Sequence, residues 1–303
     1  MPDQRSRTVL WILIGGGAFF LFVLAVFSLV YLTLHTGGNQ ASFGGFGDRI
    51  GVVDLDGVIL SPQPVVGQLK KLADDSSIKA IILHVNSPGG GVAASEEIYR
   101  EVKRIREEKK KRIVVSIETV GASGAYYIAS ASNKIYADQG SIVGSVGVIA
   151  EWVNYGDLLK WAKLKSVVFK TGEFKDTGSP SRELTPAEQA YLQGLIDNMF
   201  GQFIQAVADG RGMKFDDVKA IANGKVWTGK EALTMKLIDN VGDFEAVVND
   251  TAQSVGISGE PTLVRPEKDR RTLLDLLLGD VSQYLPDTEK MLEQHVGFYY
   301  LWK

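Results

Sequence analysis

Cysteine is absent from this chain of 303 residues, which excludes disulfides, thiolate metal sites and cysteine nucleophiles together. Histidine is scarce, with three copies at His35, His84 and His295. No histidine, aspartate or cysteine cluster has metal-ligand spacing, so neither a metal nor a cofactor is expected. No excess of positive charge exists: 33 Lys and Arg against 36 Asp and Glu give a net charge of −3. A nucleic-acid partner is therefore not expected, since phosphate binding requires a basic face. The basic runs at residues 109–112 and 268–271 read as solvated helix ends or linkers. The last absence is local, because no charged residue lies between Arg7 and Asp48.

That uncharged stretch begins with an apolar run over residues 9–34. At about 1.5 Å per residue the run exceeds a hydrocarbon core of about 30 Å, and it is too long for a cleaved signal peptide. It is expected to be one N-terminal transmembrane helix. Arg5 and Arg7 precede it, so the N-terminus is placed in the cytoplasm and the remainder outside. Residues 35–48, rich in glycine, read as a flexible tether. The expected organisation is a stub and anchor over residues 1–34, the tether, a globular domain over 49–256, and a tail over 257–303.

Within the domain, strand and helix patterns alternate, which implies an α/β fold. Residues 49–56, 78–85, 113–117, 135–136, 141–149 and 167–169 read as strands. Ala94, Ile98, Val102 and Ile105 recur at helical spacing, and residues 122–131 suit a tightly buried helix. Thr185-Pro186-Ala187-Glu188 is a capping box with proline at the first helical position. It opens a long helix whose apolar face runs through Leu192, Ile196, Met199, Phe203 and Val207 to Gly210. Shorter helices are expected over 215–222, 229–235 and 244–255. The tail closes on Phe298-Tyr299-Tyr300-Leu301-Trp302, an aromatic cluster that needs a surface: its own domain, a partner or a membrane.

Two turns have chemical potential. Asn86-Ser87-Pro88-Gly89-Gly90-Gly91 follows a buried strand and precedes a helix, so its amides can approach a ligand closely. It lacks the Lys-Ser/Thr ending of a phosphate loop; an oxyanion hole or a plain tight turn both remain. Gly121-Ala122-Ser123-Gly124-Ala125 sets a serine among small residues at a strand-to-helix turn, which is the steric logic of a nucleophile elbow. Taken alone, the segment is explained better by a small-residue helix packing closely. A nucleophilic serine needs a base, and none of the histidines is a convincing candidate. A lysine serves when neutral, and Lys175 follows an apolar segment in a glycine-containing loop.

The ordered set Asn86-Ser87-Pro88-Gly89-Gly90, Ala122-Ser123-Gly124-Ala125-Tyr126-Tyr127, Gly144-Ser145-Val146-Gly147-Val148-Ile149, Lys170-Thr171-Gly172-Glu173-Phe174-Lys175-Asp176 and Gly224-Lys225-Val226-Trp227-Thr228-Gly229 resembles the bacterial signal peptide peptidase A family in its short, single-copy form. The resemblance implies a Clp-protease/crotonase-like fold with repeated β-β-α units. It implies a serine endopeptidase with Ser123 as nucleophile, Lys175 as general base and Ser145 holding that lysine. Gly90, with Gly89 beside it, matches the oxyanion donor, and Gly124 is the expected second donor. It further implies extended hydrophobic substrates such as signal-peptide remnants, and homo-oligomers in which serine and lysine meet across a subunit boundary. Ala125 departs from the glycine found in many members.

Two other functions fit parts of the pattern. A crotonase-like enzyme acting on acyl-CoA would use the same oxyanion hole, but a serine–lysine pair facing away from the cytoplasm argues against it. A non-catalytic membrane scaffold with a peptidase fold would need none of Ser123, Ser145 and Lys175.

Overall fold

The computed structural model describes residues 48–266 and 298–302; the apolar run at 9–34 and most of the tail lie outside them. Among the described residues no helix is long and apolar enough to cross a membrane.

In chain order the elements are β1 (Arg49–Asp56), α1 (Gln63–Asp74), β2 (Ile78–Ser87), β3 (Gly89–Gly91), α2 (Val92–Glu107), β4 (Arg112–Ala122), α3 (Gly124–Ser130), β5 (Lys134–Ala137), β6 (Ile142–Gly144), β7 (Ile149–Ala150) and α4 (Gly156–Trp161). A 3-10 turn (Glu173–Asp176) follows, then α5 (Pro186–Arg211), α6 (Phe215–Ile221), β8 (Val226–Thr228), α7 (Gly229–Thr234), β9 (Asn240–Val241), α8 (Phe244–Ser254), β10 (Thr262–Val264) and β11 (Phe298–Leu301).

Continuous β-branched and aliphatic runs become strands covered on both faces. The main sheet runs β10-β1-β2-β4-β5-β9, all parallel, and β6 continues along the far half of β4. Only β8, paired to β6, is antiparallel in this sheet. One face, with Val53, Leu55, Ile81, Leu83, Val85, Val115 and Ile117, packs beneath α1, α2, α3 and α5. The other face, with Ile50, Val52, Ile82, Val114 and Tyr136, packs beneath α8. The result is a mixed α/β domain.

The long helix α5 begins at the expected capping box, with Thr185 Oγ1 accepting from the Glu188 amide. It ends at Gly212, in the left-handed conformation, rather than at Gly210. Gly210 instead lies against Ser130, where a Cβ would sit 1.9 Å from the carbonyl oxygen.

Three local expectations change. Residues 167–169 are not a strand: Val167 and Phe169 are 74% and 96% exposed, and no neighbouring strand supplies the pairing an extended run needs. The expected strand over 141–149 divides into β6 and β7, because positive φ at Gly144 and Ser145 turns the chain between them. Helix α1, whose Val65, Val66, Leu69 and Leu72 pack into the core, is additional to the elements legible in the sequence.

Candidate active site

The centre of the site is a pair of matching strand ends. In the parallel pair β4–β6, Ala122 stands opposite Gly144, so the next residues, Ser123 and Ser145, leave adjacent strands side by side. Both have φ values that side chains avoid, +54° at Ser123 and +53° at Ser145. Such backbone costs of order 1–3 kcal/mol each and persists only where surroundings over-determine it. Those surroundings are visible. The Ser123 amide donates to the Gly144 carbonyl at 2.7 Å, and the Ser123 carbonyl accepts from Tyr127 in the first turn of α3. The Ser145 amide donates to Lys225 at 2.8 Å, so the 224–229 segment props up the second elbow. Ser123 is 1% exposed and Ser145 is 7% exposed.

Beside the elbows runs the glycine strand β3. Ser87 Oγ donates to the Gly57 carbonyl at 2.6 Å and accepts the Gly89 amide at 3.1 Å. Ile59 then braces one edge: its amide donates to Gly89 and its carbonyl accepts from Gly91, both at 2.9 Å. Gly89 has φ +98°, and a Cβ there would lie 2.6 Å from the Gly124 nitrogen. A Cβ on Gly124 would lie 3.2 Å from the Gly90 nitrogen. The Gly90 and Gly124 amides thus lie close to each other only because Gly89 and Gly124 lack side chains.

The free edge of β3 pairs with β11, and β11 pairs on its other side with β7. The terminal aromatic cluster therefore rests on its own domain. A Cβ on Gly124 would be 3.1 Å from the Tyr300 carbonyl oxygen, which locates that carbonyl at the elbow. The Tyr300 side chain is buried among Tyr127 and Phe203, with ring centroids 5.2 and 4.7 Å away, and its hydroxyl donates to the Met199 carbonyl at 2.9 Å. Burial pushes the Tyr127 and Tyr300 phenols well above their ordinary range, so both are neutral.

Lys175 forms no hydrogen bond to either serine. It sits exposed on the 3-10 turn, and its ammonium forms no hydrogen bond or ion pair among the described residues. What is fixed is its neighbour Asp176. Arg182 and Lys170 both pair with that carboxylate, and Arg182 also forks onto Glu188 at 2.6 and 2.8 Å. Hydrogen bonding to Arg182 and then to Lys170 holds the Asp176 carboxyl down at about 2, and Arg182 lowers Glu188 as well. Glu188 is the buried capping residue of α5, so this network ties the Lys175 turn to the start of that helix.

His84 faces α8, packing against Phe244 and standing 3.6 Å from Asp54, on the sheet face away from α3. His35 and His295 lie outside the described residues. Among the described residues no cluster of acidic or histidine side chains could hold a metal ion. The sequence alone does not single out Ser95, Tyr99, Met199 or Phe203. Ser95 Oγ is buried and has no hydrogen-bond partner among the described residues, and a Cβ on Gly124 would come within 2.4 Å of it. Tyr99 and Phe203 occupy ordinary helical core positions and Met199 a half-buried one, so only the fold reveals what they surround.

The arrangement has known counterparts. The model of Peptidase family S49 matches residues 105–258, spanning both elbows and Lys175, and that of Clp protease matches residues 61–137, spanning the glycine strand and Ser123. A Synechocystis sp. protein provisionally named a protease is 35% identical over 236 residues, 78% of this chain and 84% of the relative. One from Methanocaldococcus jannaschii, also provisionally named a protease, is 37% identical over 193 residues, 64% of this chain and 61% of its own. An Enterococcus faecium protein provisionally named a signal peptide peptidase is 31% identical over 218 residues, 72% of this chain and 63% of its own. Because the family match covers half of the chain and contains the paired elbows, the chain belongs to peptidase family S49, in its signal peptide peptidase A group.

Proposed function

We infer that the protein is a membrane-anchored serine endopeptidase that cleaves extended hydrophobic peptides, signal-peptide remnants among them, through a Ser123/Lys175 dyad. The observation that supports this most is the buried Ser123 elbow beside the converging Gly90 and Gly124 amides. In the reaction, Ser123 Oγ bonds to the scissile carbonyl carbon while its proton passes to the Lys175 side chain, acting as general base. The oxyanion is held by the Gly90 and Gly124 amides; the Gly89 amide is already committed to Ser87. Collapse breaks the C–N bond, and the lysine proton leaves with the amine. Water then hydrolyses the acyl ester, restoring Ser123 and releasing a carboxylate. Ser145, on the neighbouring elbow, orients the lysine.

The exposure of Lys175 supports a base supplied to the serine of an adjacent subunit in a homo-oligomer. The segment before it displays Trp161, Leu164, Val167 and Phe169, each at least 60% exposed, as a surface for that neighbour. The uncharged run at residues 9–34 supports the anchor and an extracytoplasmic domain.

The test is hydrolysis of a hydrophobic peptide reporter by the wild type, Ser123→Ala and Lys175→Ala. Each variant is expected to lose at least about 10³-fold in kcat/KM. Oligomers co-assembled from equal amounts of the two variants are expected to regain about a quarter of wild-type activity, the share of boundaries that unite an intact serine with an intact lysine. Full activity in either single variant would refute the dyad; full activity in an isolated monomer would refute the shared site.

A further inference from the structure

Ser95 carries a buried hydroxyl that the fold around it does not use. The residue is 0% exposed, and its Oγ has no hydrogen-bond partner among the described residues. Such a group costs folding free energy that alanine, smaller by one oxygen, avoids. Ser87, Ser130 and Ser141, also buried, instead donate to the carbonyls of Gly57, Tyr127 and Glu118. The other unpartnered buried atoms among the described residues, Arg112 Nε and Thr251 Oγ1, belong to the far end of β4 and to α8 on the opposite sheet face.

Chain geometry places the Ser95 hydroxyl beside the two proposed oxyanion amides. Helix α2 follows β3 without a loop, so Ser95, in its first turn, is rigidly joined to Gly90. Facing it, Gly124 opens α3 directly after the nucleophile. One turn further along, Tyr99 packs on Tyr127 with ring centroids 4.7 Å apart, which holds the two helices side by side. A Cβ on Gly124 would come 2.4 Å from Ser95 Oγ and 3.2 Å from the Gly90 nitrogen. Covalent geometry sets the Gly124 nitrogen about 2.5 Å from that same point. Two amides and one hydroxyl thus border the small space that Gly124 leaves open. Ser95 Oγ and the Gly90 nitrogen are close enough for one oxygen to accept from both at about 2.8–2.9 Å. The Tyr300 carbonyl oxygen, 3.1 Å from the point, does not accept from the hydroxyl, so that proton stays uncommitted.

Resting on the peptidase reading above, we propose that Ser95 is the third donor of the oxyanion hole. As negative charge develops on the scissile carbonyl oxygen, the Ser95 hydroxyl turns to donate to it beside the Gly90 and Gly124 amides. A hydroxyl does this by rotating about one bond, without moving its helix. It keeps its proton throughout, and no covalent bond to it forms or breaks. Because the hydroxyl is unpaired before the reaction and paired at the transition state, its hydrogen bond accelerates the chemical step rather than tightening substrate binding.

The experiment compares the wild type with Ser95→Ala and Ser95→Cys on the hydrophobic peptide reporter. Each chain is also titrated with a peptide aldehyde and with the matching peptide alcohol. Ser123 Oγ bonds to the aldehyde carbon while its proton passes to the general base, leaving the former carbonyl oxygen at the oxyanion position. Ser95→Ala is expected to lower kcat about 10–100-fold with KM nearly unchanged, the value of a hydrogen bond to a charged oxygen. Its inhibition constant for the aldehyde should rise by a similar factor. That for the alcohol, which forms no adduct, should stay within about twofold. Ser95→Cys, a weaker donor of similar size, should fall between the two chains. The melting temperature of Ser95→Ala should equal or exceed that of the wild type, because an unpaired buried hydroxyl is gone. Wild-type kcat in Ser95→Ala, a loss of rate matched by a lower melting temperature, or equal weakening of aldehyde and alcohol would each overturn the proposal while leaving the Ser123 reading intact. Absence of both hydrolysis and aldehyde binding in the wild type would overturn the peptidase reading, and this proposal with it.

Discussion

Around Ser123 every residue from 121 to 131 is buried, whereas between residues 151 and 175 only Gly156 is. The two residues of the proposed dyad therefore stand in contrasting surroundings. Ser123 is held by strand register, small residues and a helix that starts immediately after it, so its strained backbone has no room to relax. Lys175 is held by a charge network at the start of α5, while apolar side chains before it remain uncovered. A nucleophile must be rigid in its own subunit to present one oxygen at one angle. A base supplied across a boundary needs only a stiff turn and a partner surface.

The largest test of this contrast is a pair of glycine substitutions. Gly89→Ala would thrust a Cβ to 2.6 Å from the Gly124 nitrogen, spreading the two proposed oxyanion amides, whereas at Gly172, also at positive φ, a Cβ meets nothing within 4 Å. Gly89→Ala is expected to lower kcat/KM by about 10²–10³-fold, the effect of losing an oxyanion donor. Gly172→Ala should cost about tenfold or less, through backbone strain alone. Equal losses in steady-state hydrolysis would break the comparison. A second pair addresses stability. Leu83→Ala, fully buried in β2, should cost about 2–5 kcal/mol in denaturant unfolding. Phe169→Ser, almost fully exposed, should change monomer stability by less than about 0.5 kcal/mol and instead weaken self-association in sedimentation.

The same contrast governs what could be read from the sequence. Strand β1 spans residues 49–56 as expected, because a β-branched run bounded by polar residues admits one solution in a buried parallel sheet. The start of α5 was equally legible, since a capping box states its chemistry locally. The segment at 167–169 has the same apolar character as a buried strand, yet pairing is a tertiary property and no strand among the described residues pairs with it. Ser123 is written into the sequence as a serine among small residues, but its adjacency to Ser145 depends on the β4–β6 register. The surroundings of Tyr300 were not legible at all: Tyr127 and Phe203 come from two helices, and each satisfies an ordinary core pattern. The terminal aromatic cluster signalled a need for burial without naming the surface.

A smaller effect is expected from Arg182, whose guanidinium joins Asp176 to Glu188. Arg182→Ala should lower kcat about tenfold by letting the Lys175 turn drift, since small misplacements of a reacting group are costly. Melting temperature should fall less than the rate, since buried Glu188 loses Arg182 but keeps the Thr185 amide and the Thr177 hydroxyl as donors. Arg182→Lys should recover only part of the rate, because a point charge cannot fork onto two carboxylates. A positioning role predicts loss in kcat with KM nearly unchanged; a fall in thermal stability matching the loss of rate would reduce Arg182 to a structural brace.

The mildest effect is the response of this network to acid. Asp176 is held at about 2 against an ordinary 3.8, and Glu188 is likewise lowered. A carboxylate whose folded value is depressed contributes stability that is full above its unfolded value and is lost as pH falls through the folded one. The Lys175 turn should therefore stay ordered from neutral pH down to about 4 and loosen between about 4 and 2. Pepsin digestion of the Ser123→Ala chain across that range provides the measurement, with cleavage inside residues 165–185 rising before cleavage within the buried strands. Arg182→Ala should move that onset upward, because Asp176 and Glu188 would then titrate nearer their ordinary values. Onset at the same pH in both chains would mean that the charge network does not order the turn, and that the contrast with the Ser123 elbow rests on burial alone.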